Sequence, residues 1–147
     1  RDARTLEKAV SMALRVKAAH VLGDERDRLG LRERLNLGHT QAHAAEAASG
    51  YRLSHGRAVA AGLMGACEAA SRLGVLRDRT LPGRVRALLD RLGLPTAFPL
   101  GLPLRRMREA AAKDKKTRDG RIRMVLPIRA RGPSNRAHFR ISERPSR

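Results

Sequence analysis

Six residues in one stretch are of types that bind and polarise ligands: Arg32, Asn36, His39, His43, Glu46 and His55. On a helical wheel advancing ~100° per residue with Arg32 at zero, Asn36 falls at ~40°, His39 at ~−20°, His43 at ~20° and Glu46 at ~−40°. A merely solvated face carries Lys, Glu, Arg and Gln in no special order. This stripe instead holds the types that bind metals, carboxylates and phosphates. Neutral imidazole is the commonest metal ligand and moves protons near neutral pH. The Arg32 guanidinium is a fixed fork of donors suited to a carboxylate or phosphate. Two histidines four residues apart can share one metal or serve separate roles, and either can also be an ordinary core or surface histidine.

His55 stands at the expected start of another helix, where the dipole disfavours imidazolium and keeps the ring available to a metal. Gly56 beside it removes side-chain bulk. A catalytic zinc site takes three protein ligands and keeps one position open. Glu46 is the local candidate for the third; the alternative lies upstream of Arg1. The two histidines are separated by Thr40, Gln41 and Ala42 rather than by a Glu that follows the first. The His-Glu-x-x-His pattern of zinc peptidases is therefore absent.

The elements that must position these residues read as an all-α fold. One helix is expected over about 5–22, with Thr5 as its cap and Leu6, Val10, Ala13, Leu14 and Val21 as its apolar stripe. Lys17 falls on that stripe, where a lysine either snorkels to the helix edge or aims its ammonium into a pocket. A second helix is expected over about 31–48, closed by Ser49 and Gly50. Ser54 can cap a third over about 55–73, rich in Ala and Gly and so expected to be central and buried. A fourth opens at Leu81, Pro82 and Gly83, and a fifth runs over about 104–116. Residues 122–126 read as a short extended piece. From Arg129 to Arg147 the chain is basic, weakly apolar and aperiodic, and reads as disordered. The expected division is a helical metal- and substrate-binding domain over 1–128 and a tail over 129–147.

Bulk composition bounds the rest. The 147 residues fit one domain or part of a larger protein. The start, Arg1 with helical periodicity close behind it, reads as a cut through a longer chain. Tyr51, Phe98 and Phe139 are the aromatic residues, so Ala, Leu and Val must fill the core, which suits closely packed helices. Cys67 alone excludes a disulfide framework or a cysteine metal site and is compatible with a reducing cytoplasm. No apolar run approaches the ~20 residues of a membrane span. Thirty-two Lys and Arg against 14 Asp and Glu give +18. Taken alone, that charge points to nucleic acid or another polyanion. An Arg-rich composition on solvated faces, or a pocket for an anionic substrate, explains it equally. A nucleic-acid face needs Lys and Arg rather than an Asn-His-His stripe.

The sequence resembles the 3-dehydroquinate synthase family, within the sugar phosphate cyclases, in its C-terminal metal-binding domain. The resemblance is carried by Arg32, Asn36, Gly38, His39, Thr40, His43, Ala44 and Glu46 at the family's spacing. Ser54, His55 and Gly56 follow, then Ala58, Val59 and Ala60. Upstream, Lys17 with Ala18 and Asp24 with Glu25 match. Downstream, Asp114, Lys115 and Lys116 match, with Val125, Leu126 and Pro127. The likeness spans about 5–127 and is most specific in the middle.

That resemblance implies an NAD- and metal-dependent, phosphate-eliminating lyase of the shikimate pathway, which leads to chorismate and the aromatic amino acids. The substrate would be the phosphorylated seven-carbon sugar acid 3-deoxy-D-arabino-heptulosonate 7-phosphate, and the product 3-dehydroquinate. It implies that His39 and His55 are ligands of Zn2+ or Co2+, with the third ligand a glutamate upstream of Arg1 rather than Glu46. Arg32, Asn36 and His43 would hold the substrate and assist its proton transfers. Lys17 and one of Lys115 or Lys116 would bind its carboxylate and hydroxyls. The NAD-binding domain would not be among these residues, and the isolated chain would be inactive. The full-length protein would be a cytoplasmic homodimer. Related sugar phosphate cyclases share the histidine motif, so another cyclase or an inactive relative is the alternative.

Four departures accompany the match. Arg57 stands where the family has a glutamate, a charge reversal beside His55. Ala42 replaces a glycine. One extra residue lies between Lys17 and Arg32. Arg28 stands where an acidic residue is usual, with Asp27 next to it.

Overall fold

The computed structural model describes residues 2–26, 28–113, 121–129 and 138–145, with Lys113, Arg121 and the last stretch described as backbone. Two compact units form, Arg1–Asn36 and Leu37–Arg147.

In the first unit, α1 spans Ala3–Leu22. Asp2, rather than Thr5, caps it: its carboxylate accepts from the Arg4 backbone N–H and from the Thr5 hydroxyl, each at 3.2 Å. No residue of α1 is buried. The turn that follows is organised by Asp24, which is only 6% exposed. Its carboxylate accepts the backbone N–H groups of Arg28 at 2.7 Å, Leu29 at 2.9 Å and Leu31 at 3.1 Å. Burial works against the charged carboxylate. The N–H groups of Leu31, Arg28, Leu29 and Gly30 outweigh it and hold the carboxyl below its usual range. This clasp delivers the chain into a short 3-10 helix, η1, over Arg32–Asn36.

The expected helix over 31–48 is therefore two elements. Gly38 adopts a φ of 78°, in the left-handed region, and the α-helical ladder restarts after it as α2, His39–Ala48. The physical reason is close packing. A Cβ on Gly38 would lie 2.7 Å from the Leu63 backbone nitrogen, and a Cβ on Gly62 would overlap the Gly38 carbonyl. The Arg32-to-Glu46 wheel does not survive the break, because a 3-10 segment and the left-handed Gly38 interrupt the 3.6-residue period on which it rests.

In the second unit, α3 spans His55–Arg72 and is the buried helix that its small residues predict. Ala58, Ala60, Ala61, Gly62, Met64, Ala66, Cys67 and Ala70 are all buried along it. α2 packs on α3 and on α5, Leu104–Lys113; α4, Leu81–Arg91, also packs on α3. The core there joins Ala60, Met64 and Leu89, with Val85 and Leu94 against them. Helices α2, α3 and α4 end alike. Past each cap residue the next N–H bonds the carbonyl three back, and the one after it bonds five back: Tyr51 to Glu46, Val75 to Ala70, Leu94 to Leu89.

The extended piece exists as β1, Arg121–Arg129, against α3, with Val125 and Leu126 buried. Thr40 ties α2 to it by donating to the Arg123 carbonyl at 3.1 Å. The expectation of disorder from Arg129 onward is corrected for one segment. β2, His138–Pro145, pairs antiparallel with β1, Val125 facing Ile141, with an irregularity between Pro127 and Arg129. Pro127 has no N–H to give the ladder, which fits a break in register beside it. β2 carries only Phe139 and Ile141 as apolar residues, too short an alternation to stand out in a basic stretch. The rest of the expected tail, 130–137 and 146–147, lies outside the described residues.

Candidate metal centre

The second unit brings three imidazoles together. Ring centroids are 5.7 Å apart for His39 and His43, 5.4 Å for His39 and His55, and 5.9 Å for His43 and His55. His39 and His43 lie one turn apart on α2 and so project from the same face. His55 is the first residue of α3. It is brought back to them by the turn that closes α2. Gly50, at a φ of 63°, gives its N–H to the Ala47 carbonyl, and Tyr51 gives its N–H to the Glu46 carbonyl at 2.7 Å. The Ser49 hydroxyl donates to the Glu46 carbonyl at 2.8 Å and accepts from the Leu53 N–H at 3.2 Å. Arg52 Nε donates to the Ser49 carbonyl. Every step of the path from Glu46 to Leu53 is thus pinned.

Glu46 completes the group. Its carboxylate lies 3.0 Å from His55 Nδ1. One ligand atom from each of His43, Glu46 and His55 falls within 4.8 Å of the others. His39 Nδ1 lies 3.2 Å from the Leu37 carbonyl. A carbonyl only accepts, so this contact is a hydrogen bond in the form with the proton on Nδ1. The imidazoles of His43 and His55 with the Glu46 carboxylate are the converging donors, of types that zinc and cobalt take; the expected ligand His39 stands beside them, its ring centroid 5.4 Å from that of His55, and is not one of the three. The residues therefore fit a divalent transition metal.

The remaining expected site residues divide by unit. Lys17 is exposed on α1, Arg32 is exposed in η1, and Asn36 is half-buried at the end of η1, all in the first unit. Lys115 and Lys116 lie outside the described residues. Arg57 is exposed on the first turn of α3. Cys67 takes no part: it is buried in α3, and burial, then the Glu68 charge, pushes its thiol upward. Two relationships went unread in the sequence. The Asp24 clasp had a faint signal, since Asp favours turns by accepting from backbone N–H groups ahead of it. The contact of Glu46 with His55 had none, because it depends on the path of a turn rather than on a helical period.

The family model described as 3-dehydroquinate synthase C-terminal matches residues 1–117. The chain is similar to the 3-dehydroquinate synthase of Symbiobacterium thermophilum, 41% identical over 128 residues, 87% of this chain and 36% of the relative. It is 44% identical over 130 residues to that of Laribacter hongkongensis, 88% of this chain and 35% of the relative. It is 46% identical over 127 residues to that of Halorhodospira halophila, 86% of this chain and 35% of the relative. The chain spans about a third of the length of the curated relatives it matches. With the histidine cluster assembled between α2 and α3 and the family model matched from Arg1 past the end of α5, the chain belongs to the 3-dehydroquinate synthase C-terminal family.

Proposed function

We propose that this chain supplies the metal-binding and substrate-binding part of a 3-dehydroquinate synthase. The reaction would remove phosphate from a phosphorylated seven-carbon sugar acid, 3-deoxy-D-arabino-heptulosonate 7-phosphate, and close the carbocycle of 3-dehydroquinate. The observation that carries this reading is the gathering of His39, His43, His55 and Glu46 at the α2–α3 turn in a member of this family.

In this reading His39 and His55 present ring nitrogens to Zn2+ or Co2+. The metal, when bound, supplies Lewis-acid polarisation of a substrate hydroxyl or ketone, and NAD supplies the hydride chemistry. His43, exposed beside both ligand rings, takes and returns protons at the substrate. Arg32 fixes a phosphate or carboxylate by its two-pronged guanidinium, and Asn36 both donates to and accepts from hydroxyls. Lys17 and one of Lys115 or Lys116 add cationic contacts to an anionic substrate. The positive charge of the chain suits such a substrate. NAD is assigned to the part of the full-length protein that these residues do not cover. The same reading makes that protein a cytoplasmic homodimer.

The test is a chimera joining the N-terminal two thirds of the Symbiobacterium thermophilum relative to this chain. Phosphate release from the sugar acid, abolished by His55→Ala, is the expected result. A folded, NAD-binding chimera that releases no phosphate would count against this function and favour an inactive relative. The 147-residue chain alone is expected to be without turnover.

A further inference from the structure

We infer that Glu46 is a positioning residue: it holds the His55 ring by Nδ1 so that Nε2 is the nitrogen presented to a metal. The inference rests on the reading of His55 as a metal ligand and adds to it a residue with a distinct task.

Glu46 has two geometric descriptions. Its carboxylate is close enough to His43 and His55 to be a third ligand in its own right. It also sits at hydrogen-bond distance, 3.0 Å, from one particular nitrogen of His55. The second description accounts for more of what surrounds it. The Glu46 side chain is 13% exposed and the His55 side chain 57% exposed. The carboxylate therefore lies at the base of the pair and the imidazole above it. A carboxylate accepts, so Nδ1 must carry the proton. The lone pair of a neutral ring is then on Nε2, at the opposite edge. His39 carries the same bias, with Nδ1 directed at the Leu37 carbonyl. The two expected ligands are thus set in one tautomer by acceptors on their Nδ1 sides. A carboxylate behind a ligand imidazole also raises its basicity, and loss of such a partner weakens metal binding by roughly 10- to 100-fold.

The backbone around Glu46 serves the same end. Its carbonyl receives both the Tyr51 N–H and the Ser49 hydroxyl. The backbone of Glu46 is thereby anchored at the start of the turn whose other end carries His55.

The experiment uses the 147-residue chain and long-range proton–nitrogen NMR of the imidazole rings at mildly alkaline pH. In the wild-type chain without metal, His55 is expected as the Nδ1–H form. Glu46→Gln keeps an acceptor oxygen and is expected to keep that form. Glu46→Ala is expected to release the ring toward the Nε2–H form that free imidazole side chains favour. Unchanged helical circular dichroism in both variants separates this from unfolding. If Glu46→Ala does not fold, the wild-type and Glu46→Gln spectra decide. A wild-type His55 in the Nε2–H form, or one whose form is indifferent to Glu46→Ala, overturns the inference.

Zinc titration separates the two layers. Zn2+ shifting Nε2 of His55, with Glu46→Ala weaker by tenfold or more and Glu46→Gln weaker by only a few-fold, supports the positioning role. Zn2+ shifting Nδ1, or equal losses in the two variants, makes Glu46 a direct ligand and overturns it. Millimolar Zn2+ that shifts neither nitrogen of His55 counts against the ligand reading itself, and the tautomer spectra still decide on Glu46.

Discussion

Gly38 and Gly62 meet backbone to backbone. A methyl group on Gly62 would overlap the Gly38 carbonyl oxygen, and the Ala42 nitrogen lies 3.4 Å from the same point. This contact sets how closely the first turn of α2 approaches the middle of α3, and so how far His39 and His43 stand from His55. Gly62→Ala is expected to lower stability by about 3 kcal/mol, since neither backbone can move aside. Gly56→Ala has open space around its Cβ and is the control, neutral or slightly stabilising by removing a Gly from the first turn of α3. Urea unfolding of the two variants checks this; equal midpoints would remove the argument from close packing.

Acid should loosen the chain through Asp24 and Asp78. Thr80 donates its hydroxyl at 2.7 Å and its N–H at 3.1 Å to Asp78. The Thr80 hydroxyl is the main reason that this carboxyl titrates below its usual range; burial opposes, and Arg84 assists. Asp24 is lowered against its burial by the backbone N–H groups of 28–31. In both, the folded chain binds the proton less readily than the unfolded one. The stabilisation is complete above the unfolded value of about 4 and is lost as pH falls through the lower folded values. Thermal midpoints measured across that window should fall steeply for the wild type and less steeply for Asp24→Asn and Asp78→Asn. Amide exchange at Arg28, Leu29 and Leu31 should accelerate in Asp24→Asn alone.

Arg57 is expected to be a weak point of α3. Ser54 caps this helix but makes no side-chain cap hydrogen bond, and its first turn has no acidic residue. A glutamate three residues after a serine cap completes a reciprocal pair of cap hydrogen bonds. Arg57→Glu should therefore stabilise by about 1 kcal/mol, through the cap and the helix dipole together. Arg57→Gln should keep the cap part without the charge. Zn2+ affinity should rise several-fold for Arg57→Glu, which replaces a cation by an anion two residues from His55. A destabilised Arg57→Glu would show that Arg57 has a role that its exposure hides.

Thr40 is expected to hold the strand to the helix. It is buried, and its hydroxyl reaches the Arg123 carbonyl. Thr40→Val keeps the shape and leaves that carbonyl without the hydroxyl, at about 1 to 2 kcal/mol. Faster amide exchange along β1, with α3 unchanged, is the expected signature. Uniform acceleration in both would mean that the bond contributes to the whole unit rather than to the strand.

The sequence by itself determined the local elements and the chemical types. Gly50 lies one residue past the cap residue of α2, as read, and Gly74 and Gly93 stand in the same place after α3 and α4. The Ala- and Gly-rich run became the buried helix because small residues admit neighbouring backbones wherever they fall. His39, His43 and His55 were legible as ligand types, and the spacing of α2 puts the first two on one face. What only the tertiary structure decided concerns residues joined by turns and packing. Gly38 enters the left-handed region because Gly62 lies against it, and that contact breaks a wheel that looked continuous. β2 exists because β1 offers it a partner, not because its own sequence has a period. Glu46 reaches His55 Nδ1 because a particular helix ending folds the chain back by a fixed path. Periodicity reports which face a residue takes on its own element; only packing reports what faces it.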